Sequence, residues 1–183
     1  MKHISIIIPH HNCFDILNNC IISLNNSSFN DFEIIVVNNN STDSSIDKIG
    51  KLYQNITIIN SQINLGYSGG CNLGARHAKG KYLLFLNNDT EHTSTWIGHL
   101  FSFMEDNPMV SSVQPKIKNL NKKDLFDYAG GSGGFIDILC YPFSRGRIFN
   151  TIESDIGQYD DSRKIFWASG TAFMTKREIF NKV

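Results

Sequence analysis

The sequence predicts an α/β fold, a mostly parallel central sheet flanked by helices, on three observations. Short β-branched runs alternate with stretches of helical period from residue 4 to about residue 106. The segments between the runs have the length of right-handed crossovers joining parallel strands. Three polar clusters, His10 to Asn12, Asn38 to Asp43 and Asn87 to Asp89, fall where strands end, the edge at which open α/β sheets bind ligands.

Ile4 to Ile8 is a β-branched run closed by Pro9, the pattern of a strand buried on both faces. Apolar residues then recur with helical period at Ile16, Leu17, Cys20, Ile21 and Leu24. Phe32 to Val37 repeats the strand signal and runs into Asn38-Asn39-Asn40-Ser41-Thr42-Asp43, a cluster of turn formers and helix caps. Ile46, Ile49, Leu52 and Tyr53 mark a second helix, and Ile56 to Ile59 a third strand. Asn64 to Gly70 reads as a loop and about Cys71 to Lys79 as a small-residue helix, with Gly80 in the place of a C′ glycine. Lys81 to Leu86 is the fourth strand, which delivers Asn87-Asn88-Asp89; Trp96, Ile97, Leu100, Phe101 and Met104 then trace a helix ending before Asn107-Pro108.

From Lys116 to Arg163 the periodicity lapses. A structureless loop of that length is unusual, so short strands or an ordered functional loop are expected. Order returns at Ile165-Phe166-Trp167 and Ala172-Phe173-Met174, and Thr175 with Glu178 makes a capping-box pattern that opens a helix at about Lys176. At 183 residues the chain suits a single domain with a real core.

Composition excludes several functions. The 17 basic and 17 acidic residues cancel and are interspersed, so there is no electrostatic footprint for nucleic acid. Cys13, Cys20, Cys71 and Cys140 form no CxxC pair, which argues against zinc, redox and disulfide roles and fits reduced thiols in the cytoplasm. No stretch approaches the roughly 18 apolar residues of a membrane span. Membrane contact is expected to be at most peripheral, at the inner face.

At the strand ends, Asp89 is placed to hold Mg²⁺ or Mn²⁺ bridging the oxygens of a diphosphate; a turn or cap aspartate is the plain alternative. Asn38 and Asn39 offer both donor and acceptor to the edge of a base, or else an Asx turn capping the helix near Ser44. Gly69 and Gly70, opening a helix, would let backbone amides approach phosphate, although their spacing matches neither the dinucleotide nor the P-loop fingerprint. Arg145 and Arg147 are either bidentate partners for a diphosphate or solvated loop arginines. His77, His92 and His99 lack ligand partners at useful spacing and suit surface or structural roles. His10 and His11 stand out only by their place.

The segments Ser5 to Asn12, Phe32 to Asp43, Asn64 to Asn72, Gly80 to Asp89 and Trp167 to Ala172 resemble, in order and spacing, consecutive blocks of family 2 glycosyltransferases with the GT-A fold. The resemblance implies a donor site for a UDP-, TDP- or GDP-linked sugar, with residues 1–115 as the nucleotide-binding half and 116–183 as an incomplete acceptor or specificity half. In that site Pro9, His11 and the Asn38-Asn39 pair contact the nucleoside, joined by Asn12, Gly70, Asn87 and Asn88, while Asp89 binds Mg²⁺ or Mn²⁺. Ser169 and Gly170 lie near the sugar and the acceptor, a glycan or lipid-linked hydroxyl, and transfer is inverting.

Three departures qualify the resemblance. The family often has aspartate at Asn38 and Asn39. Its metal motif usually carries a further carboxylate at Asn87 or Asn88, although asparagine versions resemble rhamnosyltransferase-type members. Its general base comes from an acidic pair after the helix at Lys176, and this chain stops at Val183 before it. The expectation is therefore donor binding with little or no turnover. The competing readings are a non-catalytic nucleotide-sugar-binding module and a dinucleotide oxidoreductase; the latter is opposed by the missing GxGxxG after the first strand.

Overall fold

A computed structural model describes residues 2–183. Strand β1 (Ile4–His10) leads through helix α1 (Phe14–Asn25) to β2 (Phe32–Asn38), then through α2 (Ser45–Leu52) to β3 (Thr57–Asn60). Helix α3 (Gly66–His77) leads to β4 (Tyr82–Leu86), and α4 (Trp96–Asp106) follows. Short strands β5 (Ser112–Val113), β6 (Gly134–Ile136), β7 (Pro142–Ser144), β8 (Arg147–Ile148) and β9 (Thr151–Ile152) precede β10 (Ala172–Lys176) and the one-turn α5 (Arg177–Phe180).

Six strands form one sheet in the order β3-β2-β1-β4-β10-β5. The first four pair in parallel, as crossovers through helices require, and β10 inserts antiparallel between β4 and β5. Alternation along the strands divides the core between two faces. Ile4, Ile6 and Ile8 of β1 pack with Leu17, Cys20, Ile21 and Leu24 of α1 and with Ile97 and Met104 of α4. Ile7 turns the other way, onto Cys71 and Ala75 of α3 with Leu83 and Phe85. At roughly 1.5–3 kcal/mol for each fully buried large aliphatic side chain, this two-sided burial is the main stabilising term.

The sequence reading misplaces four details. Strand β1 runs through Pro9 to His10 instead of stopping at the proline. Its pairing with β4 ends at Ile7, so Pro9 lies where only β2 is alongside and the missing N–H disrupts no central ladder. Helix α3 starts at Gly66, five residues early, because the amides at its start are received by side chains: Leu65 N donates to the remote Asn39 Oδ1 (2.8 Å) and Gly66 N to the adjacent Asn64 Oδ1 (2.9 Å). Gly80 is no C′ glycine, since α3 ends at His77 with Ala78 extended. It is small because a Cβ there would lie 2.6 Å from Ser5 N and 2.8 Å from Ile4 C.

The capping box at Thr175 and Glu178 does not form. Thr175 belongs to β10, and its hydroxyl donates to Ser111 O (3.2 Å) and accepts from Ser112 Oγ (2.8 Å). The long aperiodic segment holds short strands, β6 with β7 and β8 with β9. It also holds its own buried aromatic residue, Phe126, with Tyr159 at 5.5 Å between ring centroids.

Candidate functional site

The carboxyl ends of β1 and β4 frame an open cleft of about 280 Å³ in which Pro9, His11, Asn39 and Asn88 meet Asn64, Gly66 and Tyr67. A larger hollow of about 890 Å³ lies at the opposite edge of the sheet, around Lys79, Lys81 and Lys176. Three of its cations are already engaged: Lys81 with Glu105, Lys176 with the carbonyl of Pro108, and Arg177 with that of Ala78 (2.8 Å). None of the residues singled out from the sequence lines it. The strand-end cleft is the candidate site.

Its first wall is built at the turn after β1. Asn12 and Cys13 both adopt positive φ, 62° and 70°. This turns the Asn12 amide onto the loop after β2, where Oδ1 accepts from Thr42 N (2.7 Å) and Asp43 N (3.3 Å). His11 stays exposed, with Nδ1 donating to the carbonyl of Asn39 (3.1 Å). Asp43 receives Ser45 N (3.0 Å), the hydroxyl of Ser45 and Cys13 N (2.7 Å). The Ser45 donors above all hold its carboxyl down at about 2.

The two asparagines after β2 are occupied within the fold. Asn38 accepts from Ser41 N (2.9 Å) and donates to Asn60 Oδ1 (2.9 Å), which closes a turn short of α2; the first amide of that helix, Ser45 N, goes to Asp43 instead. Asn39 is buried; both its amide hydrogens are committed, to Asn64 Oδ1 and Gly66 O at 3.0 Å each, while Oδ1 receives Leu65 N. Its donors are spent on holding Asn64 and the start of α3 at the cleft. Gly70, expected to open the helix and offer its amide, instead lies inside α3. A Cβ there would meet Pro9 Cβ at 3.0 Å, so the glycine lets α3 close against β1.

The second wall is the turn after β4. Asn87 is fixed by its backbone: its N–H donates to Thr171 O (2.9 Å) and its carbonyl accepts from Thr90 Oγ1 (2.8 Å) and the thiol of Cys20 (3.8 Å). Burial pushes that thiol up to about 12, so it stays protonated. His92 braces the same turn between Ser23 Oγ (2.7 Å) and Thr90 Oγ1 (3.0 Å) and stacks on Trp96. Asn88 reaches back to His10, its amide nitrogen 2.9 Å from Nδ1. Asp89 projects from the turn exposed, with no hydrogen bond or ion pair among the described residues.

Among the described residues no three His, Cys, Asp or Glu side chains come together as a ready-made metal cage. The donor set at Asp89 fits a different use. Mg²⁺ characteristically keeps several waters and takes one or two carboxylates plus ligand phosphates.

The remaining sites divide. Gly170 does not line the cleft but touches a residue that does, its carbonyl accepting the hydroxyl of Tyr67. Ser169 is buried beside it, its N–H on Gln114 Oε1 (2.6 Å) and its hydroxyl on Thr171 Oγ1 (3.0 Å). Arg145 and Arg147 do not line the cleft. Arg145 donates to Ser132 O (2.9 Å) and Asp161 (2.7 Å) and lies over Phe135 and Tyr159, so its fork is occupied inside the second half. Arg147 lies 4.0 Å over the ring of Tyr128. Four cleft residues escaped the sequence reading: His10, noted only for its place, and Asn64, Gly66 and Tyr67, close to Gly69 and Gly70, which drew the attention.

The profile of glycosyl transferase family 2 matches residues 5–183. A poly(ribitol-phosphate) beta-glucosyltransferase of Bacillus spizizenii is 35% identical over 128 residues, covering 67% of this chain and 20% of that protein. The structure of S. aureus TarS, residues 1–349, in complex with UDP superposes with a TM-score of 0.70 at 20% identity, over all of this chain and 48% of that one. A mannosyltransferase from Pyrobaculum calidifontis, in complex with GDP-Man and Mn²⁺, gives 0.67 at 14% identity, over all of this chain and 47% of that one. The chain thus spans about half the length of these solved chains, and less of the Bacillus protein.

Proposed function

The chain belongs to glycosyl transferase family 2, and from that premise we propose that it is the donor-binding part of a transferase moving a sugar from a UDP-, TDP- or GDP-linked donor to a glycan or lipid-linked hydroxyl. The observation that carries the reading is the meeting of Pro9, His11 and Asn88 in one strand-end cleft, with an exposed, unengaged carboxylate at Asp89 beside it. The UDP and GDP-Man complexes named for its structural neighbours support the class of ligand.

Within this reading, Pro9 and His11 pack against the nucleoside, and Asn38 and Asn39 act by holding the loops around it. Asn12 and Asn87 fix the two walls, and Gly70 lets α3 close on Pro9 behind the cleft. Asp89, with Asn88 next to it, would hold Mg²⁺ or Mn²⁺. Such a cation supplies charge neutralisation for the departing diphosphate.

In the same reading Ser169 and Gly170, behind Tyr67, lie toward the sugar and acceptor. Inverting transfer, of the rhamnosyltransferase or hexosyltransferase type, needs a carboxylate to take the acceptor's proton as its oxygen attacks the anomeric carbon. No residue of the chain is assigned that task, so the proposal is one of binding. Work at the inner face of a membrane is part of the same reading.

The test is calorimetric titration with UDP, TDP and GDP, each with and without Mn²⁺. Binding of one of them, tightened by the cation and lost in Asp89→Ala, is expected. No heat with any of the three would overturn the proposal.

A further inference from the structure

Asp43, Ser45, His10 and Asn88 form one chain of hydrogen bonds in which each link dictates the direction of the next. A carboxylate accepts only, so Ser45 spends its single hydroxyl proton on Asp43. Ser45 Oγ is left to accept, and His10 Nε2, 3.0 Å away, must be the donor. A neutral imidazole that donates through Nε2 carries a bare lone pair on Nδ1. That atom lies 2.9 Å from the side chain of Asn88, and of the two ends of an amide only the nitrogen satisfies it. The ring is buried, 1% exposed, so these bonds satisfy it within the fold. Oδ1 of Asn88 is therefore the free end, with no hydrogen bond among the described residues, on a side chain that lines the cleft.

We propose that His10 is a positioning residue that makes Asn88 present an oxygen, not an amide nitrogen, to the ligand beside Asp89. The inference rests on the donor-site reading above and adds the polarity of one of its walls. Turned the other way, Asn88 would point N–H hydrogens at a cation and repel it. Held as it is, the Oδ1 end of Asn88 is an electron-pair donor, suited to a divalent cation or to a hydroxyl of the nucleotide. It places a neutral oxygen ligand next to a carboxylate that otherwise stands alone, within the oxygen-donor chemistry that hard cations take. The direction is set from the α2 side of the sheet by Asp43 and Ser45, neither of which lines the cleft.

A double-mutant cycle tests this. UDP, TDP and GDP, each with and without Mn²⁺, are titrated into the unsubstituted protein, His10→Phe, Asn88→Ala and the double variant. His10→Phe keeps the ring's bulk and deletes both bonds. It is expected to weaken nucleotide binding about tenfold alone and less than about twofold in the Asn88→Ala background, because it acts through Asn88. A loss confined to the Mn²⁺ titrations places Oδ1 on the cation; an equal loss without Mn²⁺ places it on a nucleotide hydroxyl, and both support the inference.

Equal losses in the two backgrounds, or none in either, overturn it. If His10→Phe does not fold, Ser45→Ala enters the same cycle with the same criteria, since without its acceptor the ring is free to carry its proton on Nδ1 and Asn88 to turn round. Failure of the unsubstituted protein to bind any of the three nucleotides is a separate result, which removes the donor-site reading and this inference with it.

Discussion

Tyr67 donates its hydroxyl to the backbone carbonyl of Gly170, 103 residues further along the chain. The bond joins α3, on one side of the cleft, to the segment that leads into β10. Partial burial, reinforced by the neighbouring Cys71, drives the phenol's pKa up.

Tyr67→Phe keeps the ring and removes this one link. Expected are a loss of about 1 kcal/mol in stability, the usual net worth of a hydrogen bond, and faster amide exchange confined to residues 169–171. Urea unfolding and hydrogen exchange check the two halves of the prediction. Exchange unchanged at those amides would show that Gly170 is held by other means.

Asp89→Asn isolates ligand binding from folding. The carboxylate is exposed and bonds to nothing described, so unfolding free energy is expected to stay within about 0.5 kcal/mol of the parent. Nucleotide affinity in Mn²⁺ is expected to fall about tenfold or more. Thermal unfolding and calorimetry on one preparation separate the two.

Asn39→Asp replaces two amide hydrogens with a carboxylate oxygen facing the oxygens of Asn64 and Gly66. The substitution restores a residue frequent in family members, yet a loss of about 2 kcal/mol or more is expected here, the cost of buried acceptors left facing one another. Urea midpoints measure it. A neutral outcome would mean that Asn64 rearranges.

Stability is expected to fall on the acid side of neutrality. Burial holds His92 down at about 4, against 6.5 for an ordinary histidine. Between those values the unfolded chain takes up a proton that the folded one refuses, so the contribution is complete above about pH 6.5 and drains away as pH drops toward 4. For His92 it amounts to at most about 3.5 kcal/mol, since each tenfold change in proton affinity is worth about 1.4 kcal/mol. His10, also lowered by burial, acts in the same direction. His92→Phe keeps the stack on Trp96 and cannot titrate, so its melting temperature is expected to vary less over this window. Below pH 4 the loss passes to Asp43 and Asp155, each held at about 2.

Gly80→Ala tests a close approach. The added methyl meets backbone atoms of Ile4 and Ser5, which cannot rotate aside as a side chain would. A loss of about 1–3 kcal/mol, typical of overpacking, is expected by urea unfolding.

What the sequence revealed follows from where the information lies. Strands β1, β2 and β4 and helices α1 and α4 are legible because burial imposes a local period on their own residues. The start of α3 was not, because Leu65 N and Gly66 O are held by Asn39 from across the cleft. The environment of Arg145 depends on Phe135, Tyr159 and Asp161, three positions with no sequence relation to one another. In the cleft, the asparagine cluster after β2 and the Asn-Asn-Asp turn after β4 were visible as strand-end polarity. His10 was visible only as a residue type in that place, since its meaning lies in the direction of bonds running across the sheet from Asp43 to Asn88.

The insertion of β10 between β4 and β5 has a consequence for synthesis. Until residue 176 is available, the apolar strand Tyr82-Leu83-Leu84-Phe85-Leu86 has β1 on one side and an open hydrogen-bonding edge on the other. An unprotected edge of that composition is a template for aggregation. A nascent chain cut near residue 115 would carry every asparagine of the cleft and still lack the strand that seals its sheet, so the first half is expected to need a chaperone's cover, or its own C-terminal third, before it can persist in solution.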